Sequence, residues 1–60
     1  MDYPAHLKSA QTRTAYTHGY EAAMAGREPR PYAGKLTRNA YEEGYTKGLN
    51  DSWAAKAVQP

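Results

Sequence analysis

The chain has no cysteine, no phenylalanine and no isoleucine, and it has a single valine. Without cysteine no disulfide can stabilise the fold, and the composition favours a reducing compartment, which we take to be the cytoplasm. No apolar run approaches the ~20 residues needed to cross a bilayer, so no membrane association is expected. The opening Met1-Asp2-Tyr3-Pro4 contains no apolar stretch, and a secretory signal is not expected either.

The apolar residues that are present are mostly small. Eleven of the 60 residues are alanine, and the large apolar surface comes mainly from six tyrosines, one tryptophan and three leucines. A chain of this size forms a single domain, near the lower limit for independent folding. The composition therefore predicts either a marginal monomer or a fold completed by a partner or a second copy.

The net charge of +2 is concentrated in the middle of the chain. Residues 1–26 sum to zero, residues 27–38 carry +3, and residues 39–60 carry −1. A local basic cluster is a candidate phosphate-binding surface, and a solvated linker is the alternative interpretation. The cationic side chains of the cluster are Arg27, Arg30, Lys35 and Arg38.

An internal repeat organises the chain. The nine residues Thr12–Tyr20 recur 25 positions later as Thr37–Tyr45, with six identities, and Met24 matches Leu49 at the same offset. Both copies place apolar residues at helical spacing. The repeat therefore predicts two similar helices.

We expect an all-α fold with helices at about 5–26 and 35–57, joined by a proline-containing linker. Gly26 is a natural C-cap for the first helix, and Thr37 is a candidate N-cap for the second. Two amphipathic helices with a short linker predict an antiparallel or V-shaped hairpin.

The contact between the helices is expected to be rich in tyrosine. Gly19 and Gly44 occupy the same position in the two copies, which indicates a close backbone approach, either to each other or to the opposite tyrosine ring. The predicted seam consists of Tyr16, Tyr20, Met24, Tyr41, Tyr45, Leu49 and Trp53.

An ordered series of residues runs from about Ala15 to Trp53. It consists of Ala15-x-x-x-Gly19-Tyr20-x-Ala22-x-Met24-Ala25-Gly26-Arg27, then Pro31-Tyr32, Arg38, and the aromatic residues with Gly44 in Tyr41–Tyr45. This series resembles the ribosome modulation factor family. The resemblance implies a two-helix protein that binds the small ribosomal subunit near the 3′ end of its RNA, represses translation and promotes ribosome hibernation. It also implies that Arg27, Tyr32 and Arg38 face RNA.

Two alternatives stay open within this candidate RNA site. Tyr32 either stacks on an unpaired base or packs back onto the helices and fixes the turn. Arg13 and Arg38 are equivalent in the repeat and form either a two-armed phosphate clamp or separate ion pairs. The predicted RNA-binding residues are Arg13, Arg27, Arg30, Tyr32, Lys35 and Arg38.

No catalytic site, metal site or cofactor is predicted. His6 and His18 are the only imidazoles, and His18 with Glu21 offers two ligands where a metal site needs more. The alternative function is a helical protein-interaction module, encoded by a phage or another mobile element, that inhibits a host protein through a tyrosine-rich face or pairs with itself.

Overall fold

The computed structural model describes residues 3–57, with side chains through Ala54. It contains two helices, α1 (Ala10–Met24) and α2 (Lys35–Ala57), and no strand within the described residues. The all-α, two-helix fold class is confirmed. Met1 and Asp2, considered above, lie outside the described residues.

Helix α1 begins at Ala10, five residues later than predicted. Ser9 is its N-cap: the backbone there is extended, and the Ser9 hydroxyl accepts a hydrogen bond from the Thr12 N–H at 3.2 Å. Before it, the Leu7 N–H donates to the Pro4 carbonyl at 3.0 Å and closes a turn. Residues 3–9, which we call the N-terminal arm, therefore precede the helix.

Helix α1 ends at Met24, two residues before the predicted end, in a Schellman motif. Gly26 has a φ of +74°, its N–H donates to the Ala23 carbonyl at 3.1 Å, and the Arg27 N–H donates to the Ala22 carbonyl at 2.9 Å. The prediction that Gly26 terminates this helix is confirmed.

Helix α2 has the predicted bounds but not the predicted cap. The Thr37 hydroxyl lies within the first turn and donates to the carbonyls of Ala33 and Gly34 at 2.7 and 3.1 Å, so it is not the N-cap. Gly34, with a φ of +88°, precedes the helix and accepts from the Arg38 N–H at 2.9 Å. In the 25-residue repeat, Gly34 corresponds to Ser9, the N-cap of α1.

The two helices run in the same direction, so the antiparallel alternative is wrong. Gly44 packs against Tyr16, and one turn further on Gly48 packs against Tyr20 and Ala23. The linker, which comprises residues 25–34, is long enough to permit this direction. Ten extended residues reach roughly 33 Å, whereas a 15-residue helix is only about 22 Å long. The linker can therefore return along the whole of α1 before α2 begins.

Small residues, rather than tyrosines, form the centre of the contact. A Cβ atom on Gly19 would overlap the Tyr41 carbonyl, and one on Gly44 would overlap the Tyr16 carbonyl. The predicted close approach of both glycines is confirmed, and the neighbour is the tyrosine backbone. The buried small residues of the seam are Ala15, Gly19 and Ala23 in α1 and Ala40, Gly44 and Gly48 in α2.

The predicted tyrosine seam is correct in part. Tyr16 and Tyr41 are buried, and Tyr20 and Tyr45 flank the contact half-buried. Met24, Leu49 and Trp53 are 46%, 39% and 74% exposed, and their placement in the seam is wrong. The stripe that meets the other helix is shifted toward the small residues, because backbones approach closest where side chains are smallest.

The repeat extends beyond the helices to the segments that precede them. The Thr12 hydroxyl donates to the Ser9 carbonyl at 2.9 Å, just as the Thr37 hydroxyl donates to that of Gly34. The N-terminal arm packs beside Tyr16 of α1, where the Tyr3 ring meets the Tyr16 ring edge-on at 5.9 Å. The linker packs beside Tyr41 of α2. We call the side of the helix pair that carries the N-terminal arm the arm face. The side that carries the linker is the linker face.

Within the described residues, neither helix combines the length and the hydropathy that a membrane span requires.

Candidate nucleic-acid interface

Tyrosine hydroxyls hold the basic linker against α2. The Tyr45 hydroxyl donates to the Arg27 carbonyl, and the Tyr41 hydroxyl accepts from the Arg30 N–H at 3.1 Å. Both tyrosines were predicted as seam residues, and tyrosine, unlike phenylalanine, carries a polar group at the edge of its ring. The backbone that bears Arg27 and Arg30 is therefore fixed at two points.

Tyr32 packs back onto the helix pair. Its ring lies on that of Tyr41, with a centroid distance of 4.7 Å and an interplanar angle of 31°, and its hydroxyl lies 2.6 Å from His18 Nδ1. One face of the Tyr32 ring is therefore covered by Tyr41. The geometry is that of the turn-fixing alternative, and base stacking by Tyr32 stays a prediction.

Three of the predicted RNA-binding arginines lie together on the linker face. Arg27 and Arg30 line a cleft of about 200 Å³ with His18, Glu21 and Tyr32. Arg30 also lines the adjoining groove, whose other wall includes Arg38. All three arginine side chains are exposed. Arg30 thus connects the two depressions.

The other two predicted cations lie elsewhere. Arg13 is on the arm face, where its Nε donates to the Leu7 carbonyl at 2.8 Å. Arg38, in contrast, lines the groove beside the linker. A phosphate clamp formed by Arg13 and Arg38 stays a prediction. Lys35 lines a separate groove, with Leu36, where both helices begin.

The charges that line the two depressions of the linker face are balanced, with three arginines and three glutamates. Among side chains 3–54, the ion pairs within 4 Å are Lys47 with Asp51 at 3.2 Å and His6 with Glu43 at 2.7 Å. Neither involves a linker arginine. Acidic side chains line the same depressions and reduce their potential: Glu21 and Glu28 in the cleft, and Glu42 in the groove.

The residues with a shifted pKa are Tyr16, Tyr20 and Asp51, and none of them lines the cleft or the groove described above. The Tyr20 hydroxyl donates to Asp51 Oδ2 at 2.6 Å. This hydrogen bond is the main cause that lowers the pKa of Asp51, with a further contribution from Lys47, and it is the main cause that raises the pKa of Tyr20. Burial is the main cause that raises the pKa of Tyr16. The hydrogen bond between Tyr20 and Asp51 joins α1 to α2.

The two histidines are engaged with neighbours on opposite faces, His18 with the Tyr32 hydroxyl and His6 with the Glu43 carboxylate. In the part of the chain that the structure describes, no three histidine, cysteine or carboxylate side chains are grouped so as to hold a metal ion.

The sequence reasoning missed the exposure of Trp53 and the role of Glu42 as a carboxylate beside Arg38. Helical spacing from Tyr45 through Leu49 to Trp53 predicted continued burial, because it took no account of where α1 ends.

Comparison of the chain with known protein families, curated proteins and solved structures finds no match. The resemblance to ribosome modulation factor therefore rests on the residues quoted above.

Proposed function

We propose that this chain is an RNA-binding regulator of the ribosome, acting in the cytoplasm by binding rather than by catalysis. Its target is small-subunit ribosomal RNA, and its effect is to repress translation or promote ribosome hibernation. The observation that carries the proposal is the group of three exposed arginines on the linker face, without carboxylate partners within 4 Å among side chains 3–54.

The chemistry of this group suits phosphate. Guanidinium groups bind phosphate oxygens through paired N–H donors, and phosphate contacts supply most of the affinity of nucleic-acid-binding proteins. Because Tyr41 and Tyr45 fix the linker backbone, the arginines lose less conformational freedom on binding than they would in a mobile segment. The parallel helices also direct both N-terminal dipoles toward the end where Lys35 lies, which adds positive potential there.

Co-sedimentation with purified ribosomal subunits tests the proposal. The parent protein is expected to travel with the small subunit, and binding is expected to weaken steeply with salt. Arg30→Gln and Arg38→Gln should each lower the affinity and reduce the salt slope by about one unit. Lys47→Gln is the matched control, because Lys47 is an exposed α2 cation that is already paired with Asp51. Absence of binding to the small subunit, or equal effects of all three changes, would remove the ribosomal proposal.

A protein-interaction module is the second candidate, and a different surface favours it. Leu36 is 75% exposed and lines an open groove with Ala10 and Ala33 where the helices begin. The tyrosine-rich face expected to dock is largely covered, since Tyr16 and Tyr41 are buried. A partner held in the Leu36 groove would bind with little salt dependence and would be lost in Leu36→Ala.

A further inference from the structure

Trp53 is the most exposed aromatic side chain among residues 3–54. It is the single tryptophan of the chain, and 74% of its surface is accessible. The Gly48 backbone still contacts α1 at Ala23, but α1 ends at Met24 and α2 continues to Ala57. Trp53 therefore stands on a part of α2 that has no helix beside it. Leu49, one turn before it, is also exposed, and the two side chains offer an apolar surface to a ligand.

Trp53 lies on the same side of α2 as the basic linker. At 100° per residue, Arg38, Tyr45, Leu49 and Trp53 fall within an arc of about 80°. Tyr45 holds Arg27 through its hydroxyl, and it lines the groove shared by Arg30 and Arg38. Trp53 is two turns beyond Tyr45, or about 12 Å along the helix. The arginines, Leu49 and Trp53 thus form one strip, in which one end carries the arginines together with Glu42 and the other end is apolar.

We infer that this strip binds single-stranded RNA, with phosphates along Arg38, Arg30 and Arg27 and a base stacked on Trp53. The inference rests on the proposed function and specifies its ligand. An aromatic ring can stack only on a base that is unpaired, and cations beside it hold the backbone of the same strand. A duplex would satisfy the arginines but leave Trp53 without a partner.

The occupant follows from charge and from ring availability. A protein helix docked on Leu49 and Trp53 alone would leave the three arginines, which have no carboxylate within 4 Å among side chains 3–54, without partners, whereas a polyanion can contact both ends of the strip. Tyr32, the other aromatic residue among the cations, has one ring face on Tyr41. Trp53 has both the exposure and the position that base stacking requires.

Fluorescence of the single tryptophan reports on this site directly. The probe is an oligouridylate of about eight nucleotides, within the length range that small single-strand-binding folds cover. Titration of the unmodified protein is expected to quench Trp53 to saturation, and the same sequence in a duplex is expected to quench it far less. Affinity is measured separately by the anisotropy of a labelled oligouridylate, so that variants without tryptophan can be compared.

Trp53→Ala is expected to weaken oligouridylate binding roughly tenfold with an unchanged salt slope, and Trp53→Phe to retain most of the affinity. Met24→Ala is the matched control, because Met24 is the equivalent of Leu49 in the repeat and an exposed apolar residue of α1. It should leave affinity unchanged. Glu42→Gln, which removes a carboxylate from the Arg38 groove, should strengthen binding.

The possible results separate the inference from the proposed function. If the parent protein binds the small subunit but oligouridylate leaves Trp53 fluorescence unchanged, the inference is wrong and the ribosomal proposal stands. Equal affinities of Trp53→Ala and the parent lead to the same conclusion. If quenching by oligouridylate occurs without binding to ribosomal subunits, the single-strand site stands and the ribosomal target is wrong. A salt-independent protein complex that requires Trp53 would overturn the RNA ligand.

Discussion

Gly44 packs directly against the backbone carbonyl of Tyr16, and the equivalent pair, Gly19 and Tyr41, makes the same contact with the helices exchanged. The 25-residue repeat therefore places two equivalent contacts in one seam. The direction of the pair follows from the next turn, where Gly48 packs against Tyr20 and Ala23 and not against the start of α1, as it would if one helix were reversed.

Gly44→Ala should destabilise the fold, although alanine is the better helix former by about 1 kcal/mol. The new Cβ would overlap the Tyr16 carbonyl oxygen, a backbone atom that can move only if the helices separate. We expect a net loss of about 2 kcal/mol, or a melting temperature lower by roughly 10 °C. Thermal unfolding followed by circular dichroism measures it. Asn50→Ala, at an exposed position of α2, should raise the melting temperature slightly. An equal rise in both variants would show that Gly44 is not in the seam.

Gly26→Ala should also destabilise, but for a different reason and by less. No atom lies within 4 Å of a Cβ built there, so the cost comes only from the φ of +74°. A left-handed conformation costs an alanine about 1–2 kcal/mol, part of which is offset by the lower entropy of the unfolded chain. Gly26→Asn should recover some of the loss, since asparagine tolerates this conformation. If the asparagine and alanine variants melt together, the cost does not arise from backbone conformation.

The repeat predicted the two helices and the two glycine contacts, because identical residues at a fixed offset imply identical packing. It did not predict the direction of α2, because ten linker residues are compatible with either course. The direction of α2 also determines whether Trp53 is buried or exposed. In an antiparallel pair the end of α2 would lie beside the start of α1 and Trp53 would be covered, whereas in the parallel pair it extends past Met24. The alanines and glycines at four-residue spacing in both copies were the signal for the true seam.

The hydrogen bond between Tyr20 and Asp51 should make stability fall at both ends of the pH range. The pKa of Asp51 is lowered in the fold, so its contribution is present above about pH 4 and is lost as the pH falls through the folded-state pKa. The pKa of Tyr20 is raised, so its contribution is present below about pH 10 and is lost as the pH rises toward the folded-state value.

Melting curves of Tyr20→Phe between pH 3 and pH 11 check this dependence. The variant should lose most of the acid limb and part of the alkaline limb; the remainder of the latter belongs to Tyr16, whose pKa is raised mainly by burial. Tyr3→Phe is the control, because the Tyr3 hydroxyl bonds to Thr17 and not to a carboxylate. Identical acid limbs in the parent and in Tyr20→Phe would contradict the assignment.

Tyr45→Phe should loosen the linker without unfolding the helices. It removes only the hydroxyl that donates to the Arg27 carbonyl, a loss of about 1 kcal/mol, and leaves the ring beside Tyr41. Trypsin should then cut faster after Arg27, at the point where the linker is released. Cleavage after Arg13 in α1 provides the internal control and should not change. Tyr45→Ala, which also removes a half-buried ring, should cost about 3 kcal/mol and unfold much of the protein.

Tyr32→Ala distinguishes the two roles open to the tyrosine of the linker. If the ring mainly fixes the turn, its removal uncovers Tyr41 and breaks the contact with His18. The free energy of unfolding should then fall by about 2–3 kcal/mol. If the ring mainly stacks on a base, stability should change little while RNA affinity falls by roughly 1–3 kcal/mol with an unchanged salt slope. The covered ring face leads us to expect the first result.

Measuring RNA binding at a temperature where the variant is still folded separates the two effects. Tyr32→Phe is the control, because it keeps the ring and loses only the His18 contact, and it should behave almost as the parent protein. A stable Tyr32→Ala protein with weakened RNA binding would return Tyr32 to the RNA interface and would imply that its ring turns away from Tyr41 when RNA is bound.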